Sequence, residues 1–195
     1  MNFKKYFQKH SVIREWVESI VIAFLIAMVI RAFAFQAFKI PTGSMRTTLL
    51  EGDRILVNKL VYGPQVPFTY WRIPGYGKIK RGDILVFKYP EDPKRDFIKR
   101  VIAFPGETVT INEGGINVNG KKIEDRKILN QYYYNRGDYG AKGQSVKVPE
   151  GFYYVLGDNS ASSMDSRFWG FVPEYYLIGK AEIIYWPLTR IRIIK

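Results

Sequence analysis

At 195 residues the chain has room for one ordinary core, or for one core and an anchor, but not for two large ones. It has no cysteine and one histidine, His10, which removes a disulfide framework and a thiol nucleophile and argues against a zinc site or a histidine-bearing triad. The net charge of +12 is spread along the chain, with no basic run, helix-turn-helix or zinc-finger pattern, so nucleic acid is not an expected partner and anionic lipid headgroups are the easier reading.

Residues 1–15 read as a basic cytoplasmic tail carrying Lys4, Lys5, Lys9, His10 and Arg14. Residues 16–38, "WVESIVIAFLIAMVIRAFAFQAF", are expected to form a transmembrane anchor. Its charge-free core, Ser19 to Ile30, has 12 residues. A hydrocarbon layer of roughly 30 Å needs about 20. Glu18 near one interface, Arg31 snorkelling at the other and Ala32 to Phe38 complete the span. The preceding basic residues put the N-terminus in the cytoplasm and residues 39–195 outside. Two other readings compete: a cleavable leader ending at Ala32-Phe33-Ala34, and a core helix of a soluble protein, which the lack of apolar-polar period disfavours.

From residue 39 the texture changes to short runs rich in Val, Ile, Tyr and Phe between turn residues, which predicts antiparallel β structure. The strand candidates are "DRILVNKLVYG", "GDILVFKYP", "DFIKRVIAFPG", "TVTINEGGINVNGKKI", "SVKVPEGFYYVLGDN" and "GKAEIIYWPLTRIRII". Asn119-Gly120 marks a type I′ hairpin turn. Residues 130–145, "NQYYYNRGDYGAKGQS", show no alternation and read as a mobile loop. Arg-Gly-Asp occurs at 81–83 and at 136–138; turn chemistry accounts for both without an adhesion role. The aromatics of "FTYWRIPGYG" and "IIYWP" suit either a membrane interface or an ordinary core.

Ser44, in "KIPTGSMRTTLLEGD", looks like a nucleophile whose base is not a histidine, since His10 is assigned to the other side of the membrane. A lysine can serve if desolvation brings its pKa from about 10.4 to roughly 7–8, which requires an apolar setting away from a carboxylate. Lys99 meets that requirement: strand alternation sets it on one face with Phe97 and Val101, and Arg100 on the other with Ile98 and Ile102. An edge-strand lysine snorkelling to water is the competing reading.

Together, "IPTGSMRTTLLEGDRILVNKLVYG", "RGDILVFKYP", "RDFIKRVIAFPGETV" and "GDNSASSMDSRFWGFVP" resemble, in order and spacing, the boxes of bacterial type I signal peptidases, membrane serine proteases. The resemblance implies a mainly β fold, with an N-terminal transmembrane helix followed by an antiparallel β-rich catalytic domain. It implies Ser44 as nucleophile, Lys99 as general base, Thr42 with the Ser44 N–H as oxyanion hole, Ser163 as the lysine-orienting hydroxyl, and Asp165 with Arg167 as a structural ion pair. Ile40, Pro41, Met45, Leu49, Phe97 and Ile98 match positions near the substrate pockets. No metal or other cofactor is implied. The implied substrates are secretory preproteins with cleavable signal peptides, cut after a small-x-small motif. The implied location is the cytoplasmic membrane, crossed once, with the peptidase domain outside.

This chain departs from many members at Thr47 (proline), Ala103 (glycine) and Ser160 (arginine), which affects loop shape and substrate preference rather than the chemistry. A single-pass β-domain that binds a peptide or lipid, and a soluble Ser/Lys self-cleaving repressor, remain as readings from other classes. Self-cleavage after Ala34 stays open.

Overall fold

A computed structural model describes residues 3–194 apart from 67, 68, 70 and 113, with side chains described from residue 12 onward. The side chains of Lys4, Lys5, Lys9 and His10, and the residues Phe68 and Tyr70, therefore lie outside the described residues.

The first element is one helix, α1 (Phe3–Phe33). Its segment Val12–Ala34 is long and apolar enough to cross a membrane, and none of it is buried against the rest of the chain. At 1.5 Å per residue those 23 residues reach about 34 Å, more than the roughly 30 Å required. Arg14 Nε donates to Glu18 Oε1 at 2.7 Å one turn on, so the carboxylate nearest the apolar run has its counter-charge beside it.

The helix stops short of the expected end at residue 38. Phe35–Lys39 is a strand, β1, paired antiparallel with β2 (Arg54–Asn58) from Phe35↔Asn58 to Lys39↔Arg54. The reason is visible in "FQAFK", which alternates: Phe38 packs on the core cluster containing Met45 and Ile55, while Phe35, Ala37 and Lys39 face outward. The backbone of this segment is thus satisfied by the domain rather than by a continuing helix.

The remaining strands are β3 (Ile84–Tyr89), β4 (Asp92–Ala103), β5 (Thr108–Asn112), β6 (Gly115–Val118), β7 (Lys121–Lys122), β8 (Ser145–Lys147), β9 (Phe152–Leu156), β10 (Val172–Pro173), β11 (Leu177–Trp186) and β12 (Arg192–Ile193). Among the described residues they form two antiparallel sheets. The larger runs β1-β2-β11-β3-β4-β9-β10 with β12 against β11; the smaller runs β7-β6-β5-β8. One core cluster lies under β1, β2 and β11, around Met45, Leu49, Ile55 and Ile184. A second joins β3, β4 and β9 through Leu85, Phe87, Val101 and Val155. A third packs the small sheet onto β4 and β9, with Ile111, Ile102 and Tyr154 at its centre. Each predicted strand segment overlaps at least one of these strands, with β4 and β11 starting a few residues earlier than expected, and the fold is mainly antiparallel β behind one apolar helix.

Asn119 and Gly120 have φ of 51° and 76° between the paired Val118 and Lys121, the two positive values that a type I′ turn needs. Both Arg-Gly-Asp glycines also have positive φ, and Asp83 is buried, accepting from the Tyr62 hydroxyl at 2.8 Å and pairing with Lys180 at 2.7 Å. The 130–145 segment differs from the expected free loop. Tyr133 is buried with its N–H on Gly114 O, Tyr134 N donates to Ser160 Oγ at 2.9 Å, and Tyr139 N donates to Arg167 O at 2.9 Å. Side-chain and loop acceptors hold its backbone instead of a strand ladder, which is why it carries no alternation.

Candidate active site

Ser44 lies in a single 3₁₀ turn, Gly43–Met45, between β1 and β2. Two anchors fix that turn. Met45 and Leu49 sink completely into the core beneath it, and Asn159 clamps it from above: Nδ2 donates to Gly43 O at 2.9 Å, and the backbone N–H to Ser44 O at 3.0 Å. The next turn is a strained one. Arg46 (φ −53°, ψ 150°) and Thr47 (φ 87°), closed by Thr48 N–H on Met45 O, make a type II turn with threonine where glycine is usual. That strain, about 1–3 kcal/mol, is offset in part by the bond from Gln131 Nε2 to Thr47 Oγ1 at 2.9 Å.

Lys99 comes from the middle of β4, opposite Leu85 of β3. It is 3% exposed, and its Nζ lies 2.7 Å from Ser44 Oγ and 5.4 Å from the centre of the Phe97 ring. Among the described residues it makes no ion pair; the neighbouring carboxylates belong to other cations, Asp158 to Arg100 (2.6 Å) and Asp165 to Arg167 (2.8 Å). Burial pushes the Lys99 ammonium down to about 8, with Asp165 and Asp158 pulling it part of the way back and Arg167 pushing it further down. An amine with that pKa, held against a hydroxyl, is able to take its proton near neutral pH.

Both ion pairs are networks. Arg100 binds Asp158 through Nε (2.8 Å) and Nη2 (2.6 Å), and Thr48 Oγ1 donates to the same carboxylate at 2.5 Å. Asp165 caps the single-turn helix α2 (Ser166–Trp169) and accepts from Gly157 N, while Arg167 also reaches Ser160 Oγ and Tyr134 O. Nothing in the residue pattern marks Asp158 and Arg100 as partners. Ser160 receives both Arg167 and the N–H of Tyr134.

Ser163 is buried, and its Oγ has no hydrogen-bond partner among the described residues. No bond from it to Lys99 is formed. It packs on Gly157, where a Cβ would stand 2.1 Å from Ser163 Oγ and 2.5 Å from Ser44 O; only glycine fits between these two serines.

A cleft of about 310 Å³ opens over Ser44 and Lys99. Of the other predicted residues, Thr42, Pro41, Phe97 and Ile98 line it. Ile40, Met45 and Leu49 do not: they are buried in the core cluster against which Ile98 packs. Arg95, Asp96, Ser162 and Met164 line the cleft without having been singled out. Their signal was position: two sit beside Phe97 on β4, and two sit in the "GDNSASSMDSR" box.

An exposed apolar helix leads directly into a β-rich domain whose first turn presents a serine hydroxyl to a buried amine, which describes a membrane-anchored enzyme by class. The family signature described as signal peptidase, peptidase S26, matches residues 13–186. Signal peptidase I of Pseudomonas aeruginosa is 32% identical over 213 residues, covering 92% of this chain and 75% of that one. Signal peptidase I P of Bacillus subtilis subsp. natto is 34% identical over 198 residues, 97% of this chain and 98% of that one. A solved signal peptidase I from Enterococcus faecalis is 34% identical, covering 53% of this chain and 96% of that one with a TM-score of 0.43. The chain belongs to the signal peptidase S26 family, membrane-bound serine endopeptidases that cleave signal peptides.

Proposed function

We propose that the chain cuts secretory preproteins after a small-x-small motif by a Ser44/Lys99 dyad, with its domain on the outer face of the cytoplasmic membrane. The observation that carries this reading is the 2.7 Å contact between Ser44 Oγ and a Lys99 amine that is buried and makes no ion pair among the described residues. Neutral Lys99 takes the hydroxyl proton as Oγ bonds to the scissile carbonyl carbon. The Thr42 hydroxyl and the Ser44 N–H receive the oxyanion. The C–N bond then breaks as the lysine returns its proton to the leaving amine, and water hydrolyses the ester. Ser163 orients Lys99 when the amine turns towards its unpartnered hydroxyl, and the Asp165–Arg167 pair holds the loop carrying Ser163.

The substrate lies as an added strand. β9 joins β4 only from Arg100↔Leu156 onward, so residues 96–98 have β3 on one side and, among the described residues, no ladder partner on the other. Pro41, Phe97 and Ile98 bound the shallow space there and favour small side chains, with Ile40, Met45 and Leu49 acting from beneath. The α1 segment holds the domain on a bilayer rich in anionic lipid, N-terminus inside, and the strongly exposed Trp71, Tyr76, Trp186 and Leu188 suit contact with its surface. No nucleic acid and no cofactor enter this reading.

Rapid acid quenching of the detergent-solubilised enzyme with a preprotein, followed by peptide mapping, tests it. A signal peptide esterified to Ser44, and no cut when the residue before the scissile bond is enlarged from Ala to Leu, are the expected results. An adduct on another residue, or full cleavage by Ser44→Ala, would overturn the assignment.

A further inference from the structure

The last turn of any helix leaves carbonyls without intrahelical partners. At the end of α1 one residue of the domain makes three hydrogen bonds: Lys59 Nζ donates to two of them, Arg31 O at 3.0 Å and Ala32 O at 3.3 Å, and Lys59 N donates to the O of Ala34, just past the helix, at 2.8 Å. A cation there also complements the negative end of the helix dipole. Lys59 directly follows β2, whose last residue, Asn58, pairs with Phe35, the first of β1.

Ala34 alone separates α1 from β1, and β1 is paired along its whole length before the chain turns through Pro41 and Thr42 to Ser44. No free linker lies between the membrane helix and the cleft. The Lys59 ammonium is half-buried, folded back on the helix end instead of extending into water, where an idle surface lysine would keep its rotamer freedom. It also feels the charge of Asp96, which lines the cleft, and the repulsion of Arg31. One side chain thus closes the exit of the helix within electrostatic reach of a residue of the cleft.

We propose that Lys59 is a positioning residue that clamps the end of the membrane helix to the peptidase domain and so fixes how the cleft faces the bilayer. Its effect falls on substrates that are themselves held in the membrane. A peptide arriving from solution docks in any orientation of the domain, whereas a preprotein whose leader lies in the bilayer reaches Ser44 only when the cleft is aimed at it. The inference rests on the peptidase reading above.

The test uses the full chain reconstituted in vesicles of phosphatidylethanolamine and phosphatidylglycerol, with two substrates: a co-reconstituted preprotein, and a soluble peptide spanning the same cut. Lys59→Met should cleave the soluble peptide within about twofold of wild type and the membrane-held preprotein about tenfold more slowly, the scale of a misaligned approach. Lys59→Arg, which keeps a cation and its donors, should restore the preprotein rate. Equal losses on both substrates would reduce Lys59 to an ordinary stabilising residue, and no loss on either would remove the clamp; both outcomes overturn the proposal. A wild type that cuts neither substrate sinks the peptidase reading, and this inference with it.

Discussion

Lys99→Met is expected to lower kcat/KM for preprotein cleavage by at least about 10⁴-fold while making the fold more stable at neutral pH. The two effects have one cause. The lysine is held at about 8, against an ordinary 10.5, because its charge is deprived of water. A difference of that size corresponds to about 3 kcal/mol of destabilisation at pH values below 8, where Lys99 is charged in both folded and unfolded chains. Between 8 and 10.5 the unfolded chain holds the extra proton, so stability rises with pH and the cost disappears above that window. Methionine has a similar shape and no charge. Its stabilisation, roughly 6–12 °C in thermal midpoint, should therefore be seen at pH 6.5, shrink as pH rises from 8, and be lost above pH 10.5. Ser44→Ala should lose as much activity without that gain, and the double variant should be no slower than either single one, since the two groups act in one step.

Arg167→Met should cost about 3–5 kcal/mol in denaturant unfolding, the second large effect. Its guanidinium and the Asp165 carboxylate are both fully buried, joined by bonds of 2.8 Å from Nε and Nη2. Removing the cation leaves a buried carboxylate without its counter-charge and unties Ser160 and Tyr134 together. Pairing it with Asp165→Asn should recover much of the loss, because it is the orphaned charge that is expensive. The same variants move Lys99 in opposite directions. Arg167 pushes its pKa down and Asp165 pulls it up, so Arg167→Met should shift activity to higher pH and Asp165→Asn to lower pH.

The central pair was legible because each member breaks a local pattern. A lysine on the apolar face of "DFIKRVIAFPG" has a large desolvation cost that only a role or a partner explains, and no partner was in sight. The ends of elements were less so. "FQAFK" is apolar enough to extend the helix and alternating enough to be a strand, and only its pairing with residues 54–58, far along the chain, decides between them. The 130–145 loop looked free because its restraints, Arg167, Ser160 and Gly114, are remote in sequence and bind its backbone rather than its side chains. Ile40, Met45 and Leu49 flank Ser44 in the chain but point into the core, a consequence of the tight turn at Gly43–Met45 that no periodicity reveals. Thr47, read only as a departure from proline, stands at positive φ, which proline cannot adopt, so the turn beside Ser44 has its own shape in this chain.

The pH dependence of kcat/KM on a soluble peptide substrate, read from pH 5 to 10, tests the dyad most directly. The free enzyme should be inactive when Lys99 is protonated, giving a rising limb with an apparent pKa of about 8 that moves up in Arg167→Met and down in Asp165→Asn. A profile that is flat through pH 8, or a limb near neutrality that ignores both substitutions, would contradict the assignment of Lys99 as the base.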